Sequence, residues 1–156
     1  MALPAVCTAV HSAEQVGSAV QRAIRAAEMG ADLVEWRVDE LASFENAVDA
    51  ANQLVQDSPI PAIITCRAAA EGGDFEGMEQ DRLAFLLEMI SLESPPRYVD
   101  VELSAFETDA GFRAKLRHQL ARQGEQRTSL ILSSHDFNAR PRDLIQRIEA
   151  MANEPL

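Results

Sequence analysis

The ten residues ADLVEWRVDE (31–40) decide how this chain is to be read, because they begin as a buried strand and run straight into charge. Along a strand, successive side chains point to opposite faces. Leu33, Glu35, Arg37 and Asp39 therefore share one face, and Val34, Trp36 and Val38 share the other. A face open to water carries such charges at little cost. A strand covered on both sides carries them only where its end opens into a polar pocket.

Working outward, the same kind of segment recurs. PAVCTAV (4–10), PAIITCR (61–67), RYVDVEL (97–103) and TSLILSS (128–134) read as further strands. Between them apolar residues recur at helical spacing. Ser12 and Gln15 have the spacing of a capping box. Behind them Val16, Ala19, Val20, Ala23, Ile24 and Ala27 form an inner face closed by Gly30. A second helix is expected from near Ser43, with Phe44, Ala47, Val48, Ala51, Leu54 and Val55 turned inward. A third carries Leu83, Leu86, Leu87 and Ile90, and a fourth carries Phe112, Leu116 and Leu120 and stops at Gly124. Pro141, suited to a first helical turn, opens a last helix with Leu144, Ile145, Ile148 and Met151.

Five strand–helix units in a row predict an α/β fold with a parallel sheet covered by helices. The strand starts are about 31 residues apart on average, the period of a barrel of roughly 250 residues and eight units. Five units fall short of eight, and 156 residues suit a complete, open, flavodoxin-like sheet. Pattern alone favours that open sheet. No linker or low-complexity stretch interrupts the series, so one domain is expected.

Composition narrows the function classes. Hydrophobic residues make up 47%, which excludes a disordered chain. The apolar runs are far too short to span a membrane. The opening MALPAVCTAV lacks a basic segment followed by an apolar one, so secretion is not expected. Cys7 and Cys66 have neither metal nor redox spacing, and free thiols suit a reducing cytoplasm. A net charge of −11 disfavours nucleic acid and anionic membrane as partners. It leaves room for a small anionic substrate held by a few buried arginines.

The charged face of 31–40 has counterparts. Ile63, Thr65 and Arg67 share a strand face, as do Tyr98, Asp100 and Glu102, then Ile131, Ser133 and His135, and in the first strand Val6, Thr8 and Val10. Each strand turns polar toward its C-terminal end, where parallel α/β folds place their active sites. A pocket is expected there.

VEWRVD (34–39), TCRAAAEGG (65–73), YVDVEL (98–103) and SSHDF (133–137) together resemble the signature segments of type I 3-dehydroquinate dehydratase, in order and spacing along essentially the whole chain. The resemblance implies a (β/α)8 TIM barrel of which residues 1–156 supply about five units, a single incomplete domain, and so reverses the preference for an open sheet. It implies a shikimate-pathway lyase that joins the ketone of 3-dehydroquinate to a lysine as an imine, then removes a proton and water. It implies no metal and no dissociable cofactor, and a homo-oligomer, a dimer, in the full-length family. By the same resemblance His135 is the general acid/base and Glu71 the carboxylate paired with it. Glu35, Arg37 and Arg67 hold substrate hydroxyls and position the ring. Thr8 occupies a hydroxyl position on the first strand, and Asp100 and Ser133 support the others from behind. The family's imine-forming lysine lies on the strand after the histidine, beyond ANEPL (152–156). The lysine present, Lys115, is expected on the outer surface of its helix. The non-enzymatic alternatives are a ligand-binding or regulatory module and an inactive gene fragment.

Remaining features have plainer readings. His11 is expected in the loop after the first strand, close enough to touch the pocket, and His118 on a solvated helix face. The acidic residues from Glu40 to Asp57 suit a wet helix face. Gly72 and Gly73 fit the turn after Glu71 better than a phosphate cradle, since the helix-entry fingerprint is missing.

Overall fold

A computed structural model describes residues 4–123 and 127–154; the helix stop expected at Gly124 lies outside them. Five parallel strands, β1 (Ala5–Ala9), β2 (Leu33–Arg37), β3 (Ala62–Thr65), β4 (Tyr98–Glu102) and β5 (Ser129–Ser133), lie side by side in chain order. The helices α1 (Val16–Glu28), α2 (Ala47–Gln56), α3 (Glu79–Ile90), α4 (Leu103–Thr108), α5 (Ala110–Arg122) and α6 (Leu144–Ala152) follow them. A flavodoxin-like sheet has a shuffled strand order and helices on both faces. Here the order is sequential and α1, α2, α3 and α5 pack neighbour to neighbour. The open-sheet reading is thereby corrected to an arc of a barrel wall.

Register shows why the sheet has two different faces. Val34 pairs with Ala62, Trp36 with Ile64, and Ile64 with Val99, so these side chains stand on one face. All are fully or almost fully buried, in one core with Val20, Leu54, Leu86 and Leu116 of the helices. Burying a large apolar side chain contributes roughly 1.5–3 kcal/mol, so the folding energy lies on the helix-covered face. Glu35, Arg37, Thr65, Asp100 and Ser133 are left on the opposite, concave face. The charges of 31–40 therefore point into a barrel-like hollow.

Local expectations hold with several corrections. Ser12 makes no side-chain cap, and Gln15 Oε1 instead accepts from the His11 N–H at 3.0 Å, one residue earlier than a capping box requires. The second helix begins at Ala47 after a 3₁₀ turn at Leu41–Ser43, and Phe44 is exposed rather than inward. Leu103 opens α4 instead of closing β4, and Asp109 caps α5 by accepting from the Phe112 N–H at 2.8 Å. The last helix starts at Leu144, three residues after Pro141.

One flank of the sheet has no cover among the described residues. In α6 Ile145 and Ile148 are 64% and 55% exposed, beside a groove of about 510 Å³ lined by Leu132, Phe137, Leu144, Ile148 and Met151. β1 and β5 each pair on one side only. Open edges pair with other chains, and apolar patches promote association. The 156-residue polypeptide should therefore self-associate at micromolar concentration, as read by light scattering after size exclusion. A monodisperse monomer with one cooperative unfolding transition would contradict this.

Candidate active site

The chain ends of β3, β4 and β5 converge on one side chain, Arg67. It follows β3 and is 5% exposed. Its Nη2 donates to Asp100 Oδ2 at 2.8 Å, and its Nη1 donates to Ser133 Oγ at 3.2 Å. Ser133 in turn donates to the same Asp100 oxygen at 3.0 Å. Nη1 also lies against the edge of the His135 ring, in contact with Nδ1 and 2.9 Å from Nε2. Asp39, just past β2, fixes the backbone: Oδ1 accepts from the Arg67 N–H at 2.7 Å while Oδ2 pairs with Arg37 Nη2 at 2.5 Å. The Asp39 carboxylate holds the Arg37 guanidinium above its ordinary range, so Arg37 stays charged.

His135 is held from the other side by Glu71, at the end of a 3₁₀ turn at Ala69–Glu71. Glu71 Oε2 accepts from the His135 backbone N–H at 2.8 Å and lies 3.2 Å from Nδ1. Glu71 Oε1 accepts from Ser104 Oγ at 2.8 Å. Glu71, an acceptor, favours the proton on Nδ1, while Arg67 Nη1, a donor, lies against both ring nitrogens. The glycines after Glu71 serve this turn. Gly72 has φ +78°, and a Cβ on Gly73 would come 2.0 Å from the Arg67 carbonyl oxygen. Only glycine lets the chain pass so close.

Of the expected residues, Arg37, Arg67, Glu71, Asp100, Ser133 and His135 form one bonded cluster. Glu35 stands on the same face, in register with Cys7 and Ile63. Thr8 does not join it. It pairs with Trp36, so its side chain is buried on the helix-covered face. Cys7 takes its place on the concave face, where its side chain is exposed yet partial desolvation and then the Glu35 carboxylate push its thiol up to about 11. His11 lies at the rim, bound to Glu40 at 2.8 Å beside a small cavity shared with Cys7, Arg37 and Asp39. Lys115 and His118 are exposed on α5.

A sequence profile described as type I 3-dehydroquinase matches residues 6–154. The chain belongs to the type I 3-dehydroquinase family. It is 38% identical over 120 residues to the 3-dehydroquinate dehydratase of Methanosarcina mazei, covering 75% of this chain and 47% of that protein. It is 40% identical over 119 residues to that of Methanosarcina barkeri, with the same shares. The chain thus spans about half the length of the curated relatives it matches. Among solved structures, the Enterococcus faecalis 3-dehydroquinate dehydratase superimposes with a TM-score of 0.76 at 24% identity, over 97% of this chain and 62% of the other. The Geobacillus kaustophilus enzyme gives 0.70 at 24% identity, over 94% and 57%. The parallel five-stranded sheet is therefore an arc of the dehydroquinase TIM barrel, unclosed among the described residues. No helix among them is long and apolar enough to cross a membrane.

Within this dehydroquinase arc, Asp100 has a testable acidity. Burial outweighs Arg67 and the Ser133 hydroxyl and pushes its carboxyl up to about 6. A carboxyl raised on folding takes up its proton in the folded chain first, so its contribution to stability is full below about pH 4 and is lost as pH rises through about 6. Asp100→Asn removes that component. The loss of stability it causes should be larger at pH 4 than at pH 7 by denaturant midpoint, and an equal loss at both would contradict the assignment.

Proposed function

We propose that this chain carries the acid/base and substrate-holding part of a 3-dehydroquinate dehydratase, a hydro-lyase that converts 3-dehydroquinate to 3-dehydroshikimate and water. Residues 1–156 form, in this reading, one incomplete barrel domain, and the protein works in the cytoplasm of a cell making aromatic amino acids, as a homodimer and without nucleic acid. The observation that carries the reading is the His135–Glu71 pair with Arg67 against it, on the concave face of a family member.

The geometry supports these roles. Glu71 holds the proton on Nδ1, so Nε2 is the basic nitrogen. A substrate oxygen that takes over Arg67 Nη1 releases Nε2 to accept the proton next to the imine carbon. The imine is the electron sink for that C–H bond. The same nitrogen then returns the proton to the departing hydroxyl, so a molecule of water leaves and the ring is neutral again. Glu35 and Arg37 bind hydroxyls of the ring, with Arg37 aimed by Asp39. Asp100 and Ser133 keep the Arg67 fork in place.

The test is a chimera in which residues 1–154 are joined to the C-terminal strand–helix units of the Methanosarcina mazei relative. Ultraviolet absorbance of the conjugated enone reports turnover of 3-dehydroquinate. A folded chimera without turnover would remove the reading. A second reading is favoured by one fact: Lys115, the one lysine in the sequence, is exposed on α5. By itself the 156-residue polypeptide would then bind the ligand without transforming it.

A further inference from the structure

The most deeply buried charged pair among the described residues lies beside the cluster described above. Arg82, in the first turn of α3, is 0% exposed, and Glu102, at the end of β4, is 1% exposed. Arg82 Nη1 sits 2.8 Å from Glu102 Oε2, in ionic contact although off the axis of its N–H bonds. The same nitrogen donates to the Cys66 carbonyl at 2.5 Å. Glu79 grips the other side of the guanidinium, with Nη2 to Oε1 at 2.6 Å and Nε to Oε2 at 2.8 Å. The second oxygen of Glu102 accepts from the Ala68 N–H at 2.9 Å and lies 3.7 Å from Arg67 Nε.

A buried ion pair is a poor device for stability, because desolvating both ions offsets their attraction. Its contacts point elsewhere. Arg82 holds the carbonyl before Arg67, and Glu102 holds the N–H after it. Between them they fix both peptide groups flanking Arg67 and the start of the turn that ends in Glu71. That turn is the route by which Glu71 reaches His135, whereas the Arg67 guanidinium is hydrogen-bonded by Asp100 and Ser133, with Glu102 3.7 Å from its Nε.

We propose that Arg82 and Glu102 are positioning residues: they clamp the 66–71 turn and so set where Glu71 meets His135, without touching the ring themselves. The proposal gives these two residues a part in the dehydratase reading, but its physical content is independent of turnover. Helix α3 thereby becomes part of the site, since its inner face carries Arg82 one turn before Leu86. A ligand that drew Glu102 toward Arg67 would be felt at α3.

Hydrogen–deuterium exchange of the 156-residue chain, read by mass spectrometry on peptides, tests it even in an associated sample. Arg82→Lys keeps the charge but cannot fork to Cys66, Glu79 and Glu102 together. Peptides spanning 66–71 and 133–137 should exchange roughly tenfold faster in this variant, while peptides of β2 and α1 keep the parent rate. The double variant R82M/E102M removes both charges, a change that commonly preserves folding, and should show the same two-site pattern. Acceleration spread evenly over all peptides would reduce the pair to general core stability and overturn the proposal. So would a folded double variant with parent exchange at 133–137. Neither outcome depends on whether the chimera turns over, so loss of the lyase reading would be seen separately.

Discussion

Replacing His135 with alanine in the chimera should slow turnover of 3-dehydroquinate by about 10²–10⁴-fold, the usual share of general acid–base catalysis. Imine formation should survive, because the ring acts on the neighbouring C–H bond and the departing hydroxyl, and the amine is supplied by another strand. Borohydride should therefore still trap the adduct while the enone fails to accumulate. Glu71→Gln should fall between parent and His135→Ala. It keeps an acceptor near Nδ1 but removes the charge that favours the proton there. An alanine variant as active as the parent would show that the base lies elsewhere and that the Glu71–His135 contact is structural.

Much of the site was legible because a parallel sheet converts alternation into position. Glu35, Arg37, Asp100 and Ser133 lie on one side since register carries a face from strand to strand, and Arg67 and His135, just past β3 and β5, join them through their side-chain contacts. Thr8 was misread for a reason of the same kind. In β1, AVCTA, small and apolar residues fill both faces, so the stretch does not declare its own phase. The pairing of Cys7 with Glu35 supplies it, and that pairing is tertiary. Arg82 did leave a signal, standing in helical phase with Leu86 and Met89 where an apolar residue is expected. Recognising its partner required knowing that β4 ends beside α3. Phe44 was placed inward by spacing alone, but the chain there is a 3₁₀ turn and an extended residue, so helical spacing does not apply. The inward face of α6 is real as a pattern, yet Ile145 and Ile148 stay more than half exposed among the described residues.

The sharpest expected result concerns covalent trapping, because it is close to all-or-none. Imine formation needs an unprotonated amine held against the ketone, which a protein obtains by burying a lysine close to the substrate. Lys115 is neither buried nor on the concave face. It is exposed on α5, while Leu116 beside it is fully buried toward the core. The concave face that holds Arg67 and His135 lies across the sheet from that helix layer. Borohydride with 3-dehydroquinate should therefore leave the 156-residue polypeptide unmodified by intact-mass measurement, with no enone formed above background. The chimera treated in the same way should gain one adduct, mapped to a lysine in the segment contributed by the relative. An adduct on Lys115 of the 156-residue polypeptide would mean that α5 reaches the hollow and that the placement of the nucleophile is wrong. An untrapped but folded chimera, still able to protect its 133–137 peptide from exchange when 3-dehydroquinate is added, would instead identify the concave face as a binding site without imine chemistry.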